Sequence, residues 1–202
     1  MLRLHEGIRP FPLGPIQTPR LRMGAHVEPA ETSGKGMSLT EIPIPRAANP
    51  VESAEHVAAS HGWLFARASE DELTLVISGI WADYQVSFTW MGEIEVLHLA
   101  CAIDLKFPER RRAEMTELVS MVNEQLWIGH FDVWEKDGLV MFRHALPLAG
   151  GAVPSGPQSE FLVTTAVNTC ERYYQAFQYL LWAGKSPREA IETALFQTRG
   201  EA

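Results

Sequence analysis

The chain has 202 residues, 46% of them hydrophobic and 21% charged, with a formal charge of −8. That length suits one ordinary domain with an appendage and supports a core without a disulfide or metal staple, and the composition is unlike that of disordered, collagenous or coiled-coil chains. The charge opposes a phosphate backbone, whose non-specific affinity comes from lysine and arginine displacing counterions, so no nucleic-acid partner is expected.

Two cysteines, Cys101 and Cys170, exclude a disulfide framework and a four-thiolate zinc site within one chain, and they fit a reducing cytoplasm. No run reaches the ~20 apolar residues of a membrane span, and prolines interrupt residues 1–15 before a secretory apolar region can form. The expected location is therefore cytoplasmic, with no membrane partner.

Composition shifts near residue 49. Residues 1–48 hold seven of the thirteen prolines and a single aromatic residue, Phe11, and carry +2, leaving −10 on the remainder. Such a segment buries too little apolar surface to offset its ordering entropy and reads as a disordered or extended tail. Within it, Ser33-Gly34-Lys35-Gly36-Met37-Ser38 imitates a phosphate loop but lacks the first glycine at the required spacing, a preceding strand and a following helix.

The domain, residues 49–200, opens with Asn49-Pro50-Val51-Glu52, a helix start in which Asn49 caps and Glu52 reaches back, and His61-Gly62 ends that helix. Period-two alternation over 63–67, 73–78, 84–90 and 94–106 predicts a β-meander. Pro108 starts a second helix whose stripe is Met115, Leu118, Val119, Val122 and Leu126, closed by Gly129. Strands over 131–135 and 139–145 flank Asp137-Gly138, a hairpin signal. A glycine- and proline-rich loop over 149–157 leads to a long helix burying Leu162, Ala166, Cys170, Tyr173, Phe177, Leu180 and Leu181. Gly184 and then Ser186-Pro187-Arg188-Glu189 introduce a last helix burying Ala190, Ile191, Ala194 and Leu195. Without alternating βαβ units, the order implies an α+β fold with a mostly antiparallel sheet and helices on one face.

Alternation also sorts the faces. With a two-residue turn at Gly92-Glu93, Phe88 would oppose Leu97, Val86 Leu99 and Tyr84 Cys101 on the core side. Asp83, Gln85, Ser87 and Thr89 then share the other side with Val96, His98, Ala100 and Ala102. With Asp137-Gly138 at the second tip, Phe131, Val133, Val140, Phe142 and His144 face the core. His130, Asp132, Trp134, Met141, Arg143 and Ala145 face away, with Asp132 opposite Arg143 and Trp134 opposite Met141. The outward side, neither fully polar nor fully apolar, suits a partner protein or a second copy.

No catalytic pattern competes with that reading. His56 and His61 are five apart at a helix end, and His98, His130 and Asp132 share the outward face, but no His-x-x-x-His occurs. A metal-dependent hydrolase using His98, His130 and Asp132 is the alternative, and a small-molecule sensor on the same face, which would need an enclosed cavity of ~300 Å³, is a third. His144 is expected to be a hydrogen-bonded core residue. Cys101 and Cys170 fall at buried positions and read as small hydrophobes rather than nucleophiles. Glu70-Asp71-Glu72 reads as a solvated turn.

Several stretches carry a family resemblance: Val122-Asn123-Glu124; Trp127-Ile128-Gly129-His130-Phe131-Asp132-Val133-Trp134; Gly138-Leu139-Val140-Met141-Phe142-Arg143; Cys170-Glu171-Arg172-Tyr173-Tyr174; and Ala183-Gly184-Lys185-Ser186-Pro187. Through these, residues 49–200 resemble the YbjN family, regarded as bacterial sensory transduction regulators with a type III secretion chaperone-like fold, in a form like the alphaproteobacterial ones. The resemblance implies no catalytic residue and no cofactor. By analogy with secretion chaperones it implies a homodimer that binds extended protein segments. The expectation is a non-enzymatic protein-binding domain, chaperone-like or regulatory, whose partner or dimer face is Gln85, Ser87, His98, His130, Asp132, Trp134, Met141 and Arg143.

Overall fold

In a computed structural model of the chain, residues 49–134 and 137–199 are described, with side chains through 196; the tail of residues 1–48 and its Ser33–Ser38 stretch lie outside the described residues. Asn49, in extended conformation, caps helix α1 (Pro50–His61) by accepting from the Val51 amide at 2.9 Å, and Gly62 ends it at a φ of 69°. The expected return contact from Glu52 is absent. Instead Asn49 Nδ2 donates to the Glu70 carbonyl and to Asp71 Oδ1, tying the helix start to the first strand turn.

The strands are β1 (Leu64–Ser69), β2 (Glu72–Ser78), β3 (Asp83–Met91), β4 (Val96–Lys106), β5 (His130–Trp134) and β6 (Leu139–Pro147). They form one sheet in the order β1-β2-β3-β4-β6-β5 with every neighbouring pair antiparallel. A 3-10 turn (Glu109–Arg111) and helix α2 (Arg112–Asn123) separate β4 from β5; α3 (Gly156–Trp182) and α4 (Pro187–Arg199) follow β6. This is the α+β class that the alternation implied.

All four helices bury residues into one core with the inner side of the sheet, and no outward-facing sheet residue belongs to that core. Met115, Leu118, Val119 and Val122 supply the α2 stripe as expected, and Leu162, Ala166, Cys170, Tyr173, Phe177 and Leu180 that of α3. Phe131 sits at the meeting point of strand and helix layers, edge-on to Phe142, Tyr173 and Phe177 with centroids 5.3 to 6.2 Å apart. α2 ends at Asn123, before the expected Gly129 stop.

Both predicted hairpin registers move by two residues. Met91 pairs with Val96, so the connection is residues 92–95, closed by bonds from the Ile94 and Glu95 amides to Met91 and Gly92 carbonyls. Phe88 therefore opposes Leu99, and Val86 opposes Cys101. Likewise Trp134 pairs with Leu139, Asp132 with Met141 and His130 with Arg143, because the Gly138 carbonyl is bonded to the Phe107 amide and holds the connection against the chain leaving β4. Side chains alternate with period two, so an even shift preserves the faces while changing every partner.

Candidate functional site

The outward face of the sheet is built in transverse rows. One runs Ala66, Thr74, Ser87, Ala100, Arg143, His130; the next runs Leu64, Val76, Gln85, Ala102, Met141, Asp132; and Glu72, Thr89, His98 and Ala145 form a third. The centre is floored by small residues, with Thr74 and Ser87 sharing a buried hydroxyl–hydroxyl bond of 3.2 Å. Met141, Ser87 and His98 are buried, Gln85, Asp132, Trp134 and Arg143 are half-exposed, and His130 is exposed. All eight expected face residues thus lie on this side.

Arg143 organises the polar part. Its Nη1 donates to Asp132 Oδ2 at 2.8 Å and its Nε to His98 Nε2 at 3.2 Å. A guanidinium only donates, so His98 Nε2 must be the unprotonated nitrogen and Nδ1 carries the hydrogen of the neutral ring. His98 is 4% exposed and Nδ1 has no hydrogen-bond partner. Burial first, then the Arg143 charge and the neighbouring His130 and His144, lower the His98 pKa from 6.5 to about 4. The ring is therefore a neutral acceptor at neutral pH.

The metal-hydrolase alternative requires His98, His130 and Asp132 to converge on one point. A cation already joins Asp132 to His98, and among the described residues no group of three His, Cys, Asp or Glu side chains can hold a metal ion. His144, on the inner side, is half-buried, with its pKa lowered by burial and then by His130, and among the described residues its side chain has no hydrogen-bond partner. His61 reaches Glu160 at 3.2 Å on the surface. A cavity of about 270 Å³ is lined by Lys185, Glu189, Glu192, Thr193 and Phe196.

Sequence reasoning missed three features. First, Asn123 caps the β5 edge at Phe131: its Oδ1 accepts from the Phe131 amide at 2.7 Å and its Nδ2 donates to the Phe131 carbonyl at 3.0 Å. An edge strand otherwise offers such groups to another chain. The β1 edge is blunted differently, by a register break between Arg67 and Ser69 and by an ion pair from Arg67 to Glu55 of α1.

Second, Glu171 on α3 holds the β2–β3 turn, its Oε1 accepting from the Ile80 and Trp81 amides at 3.0 and 3.3 Å. The nearby Tyr84 hydroxyl is buried without a well-formed bond, and burial followed by the Glu171 carboxylate pushes its pKa up. Both Asn123 and Glu171 fall in stretches that carry the family resemblance, the one signal that could have found them. Third, Cys101 and Cys170 are buried as expected, but they also touch, with sulfurs 3.6 Å apart.

Among the described residues no helix is long and apolar enough to cross a membrane. The family model YbjN, described as "Putative bacterial sensory transduction regulator", matches residues 50–179. No curated protein matches the chain.

Proposed function

Because the chain belongs to the YbjN family, we propose that its domain is a non-enzymatic regulatory module that binds protein, works as a cytoplasmic homodimer, and docks through the outward sheet face. The observation that carries this reading is the contrast between that face and the rest of the sheet. The inner side is filled by four helices, the β5 edge is held at Phe131 by Asn123 and the β1 edge is blunted, whereas among the described residues no helix packs on the outer face. The family description supports a regulatory role.

The occupant is a second copy of the chain. Six strands about 4.8 Å apart span ~24 Å, and four outward positions along a strand add ~20 to 25 Å, so face-to-face packing covers roughly 500 to 600 Å² on each copy. The total, about 1,000 to 1,200 Å², reaches the lower bound of about 1,000 Å² for a specific interface. Gln85, His130, Asp132, Trp134 and Arg143 form the contact surface, with Ser87, His98 and Met141 as its floor. Trp134 is the anchor, since aromatic residues dominate interface energy.

Sedimentation velocity of the full chain tests this. Wild type should dimerise, and Trp134→Ala should raise the dissociation constant about 30-fold, the equivalent of ~2 kcal/mol, while melting as wild type does. A monomer at every concentration, or a Trp134→Ala chain that associates like wild type, overturns the proposal.

A further inference from the structure

We infer that Cys101 and Cys170 are a reversible dithiol–disulfide couple, and that closing it clamps α3 to β4 behind the docking face and weakens docking there. The chain has two cysteines in 202 residues, 69 positions apart, one on the sheet and one on a helix, and the fold sets their sulfurs 3.6 Å from each other. A disulfide bond is ~2.05 Å long, so closure asks the two side chains to approach by about 1.5 Å.

The oxidant class is a low-molecular-weight disulfide such as oxidised glutathione. One cysteine thiolate attacks it, forming a mixed disulfide and releasing one glutathione thiolate. The other cysteine then attacks the protein sulfur of that mixed disulfide and releases the second glutathione thiolate. The protein loses two electrons, the glutathione disulfide gains them, and the two cysteine protons end on two glutathione molecules. Both thiols are buried, and burial, then Cys101, pushes the Cys170 thiol pKa up. Exchange therefore passes through opened forms and takes minutes to hours.

The link to docking rests on the function proposed above; the chemistry of the pair does not. Cys101 lies between Ala100 and Ala102, which floor the outward face, so drawing its sulfur toward α3 pulls that floor inward. Cys170 precedes Glu171, which grips the Ile80 and Trp81 amides, so the same movement tightens a helix already anchored to the sheet.

The test equilibrates the full chain in glutathione redox buffers, quenches with acid, alkylates under denaturing conditions and weighs the product. The expected result is a loss of both alkylatable thiols without intermolecular cross-links, reversed by dithiothreitol, with a melting temperature raised by roughly 10 °C. Cys170→Ser and Cys101→Ala chains should show no such rise. In sedimentation the oxidised chain should dimerise at least about fivefold more weakly than the reduced one. Two thiols still alkylated in the most oxidising buffer, or a stable single glutathione adduct as end product, overturns the couple. An oxidised chain that dimerises like the reduced one overturns the link to docking. If neither redox state self-associates, the docking reading fails with the link, and the mass readout still decides the couple.

Discussion

Lowering the pH from 7 to 5 should destabilise the domain through His98. In the folded chain its pKa is held at about 4, against 6.5 when exposed, by burial and by the Arg143 guanidinium that donates to Nε2. As the pH falls below 6.5 the unfolded chain takes up a proton that the folded chain refuses, so stability is lost from there down to about pH 4 and then levels off. At about 1.4 kcal/mol per pH unit the full difference is worth about 3 kcal/mol, of which about 2 kcal/mol is already lost at pH 5. His144 moves stability in the same direction, so a comparison is needed to isolate His98. His98→Gln keeps an acceptor for Arg143 but cannot titrate. Denaturant unfolding at the two pH values should show wild type losing about 2 kcal/mol more than His98→Gln. Parallel losses, within about 0.5 kcal/mol, would refute the assigned tautomer and its burial.

Other substitutions test the frame that positions the face. Leu118→Ala on the fully buried α2 stripe should cost ~2 to 5 kcal/mol in denaturant unfolding. Asn123→Ala removes the partners of the Phe131 amide and carbonyl and should cost about 2 kcal/mol, with concentration-dependent aggregation measured by light scattering as the β5 edge opens; Asn123→Asp, which keeps the acceptor, should be milder. Gly129 has a φ of +69°, and a Cβ there would lie 2.2 Å from Phe142 Cζ and 2.9 Å from the Arg143 carbonyl oxygen. Gly129→Ala should therefore lower stability by at least about 2 kcal/mol and shift the melting curve accordingly.

Much of this molecule is legible in the chain because local rules act over a few residues. Period-two alternation assigned Tyr84, Val86 and Phe88 to the core side and Gln85, Ser87 and His98 to the other, since neighbouring side chains on a strand must point opposite ways. Helical spacing found the stripe of Met115, Leu118, Val119 and Val122, and capping chemistry located the starts at Asn49 and Ser186. These choices are made by each segment's own geometry and hydrophobicity, so they survive a wrong turn length.

What lies along a face depends on contacts the segment does not contain. Whether Asp132 opposes Arg143 or Met141 is settled by the Gly138 carbonyl meeting the Phe107 amide, a bond between stretches 31 residues apart. The short path from Asp132 through Arg143 to His98 spans three strands, and only sheet order puts β6 between β4 and β5. Asn123 and Glu171 are unremarkable polar residues in sequence; each gains its role because a helix end or helix flank comes to rest against backbone groups that need an acceptor. The two cysteines read separately as small core residues, and packing α3 on β4 is what makes them neighbours. Alternation and spacing are properties of the chain, whereas partners across a sheet or between layers exist only once the whole core has closed.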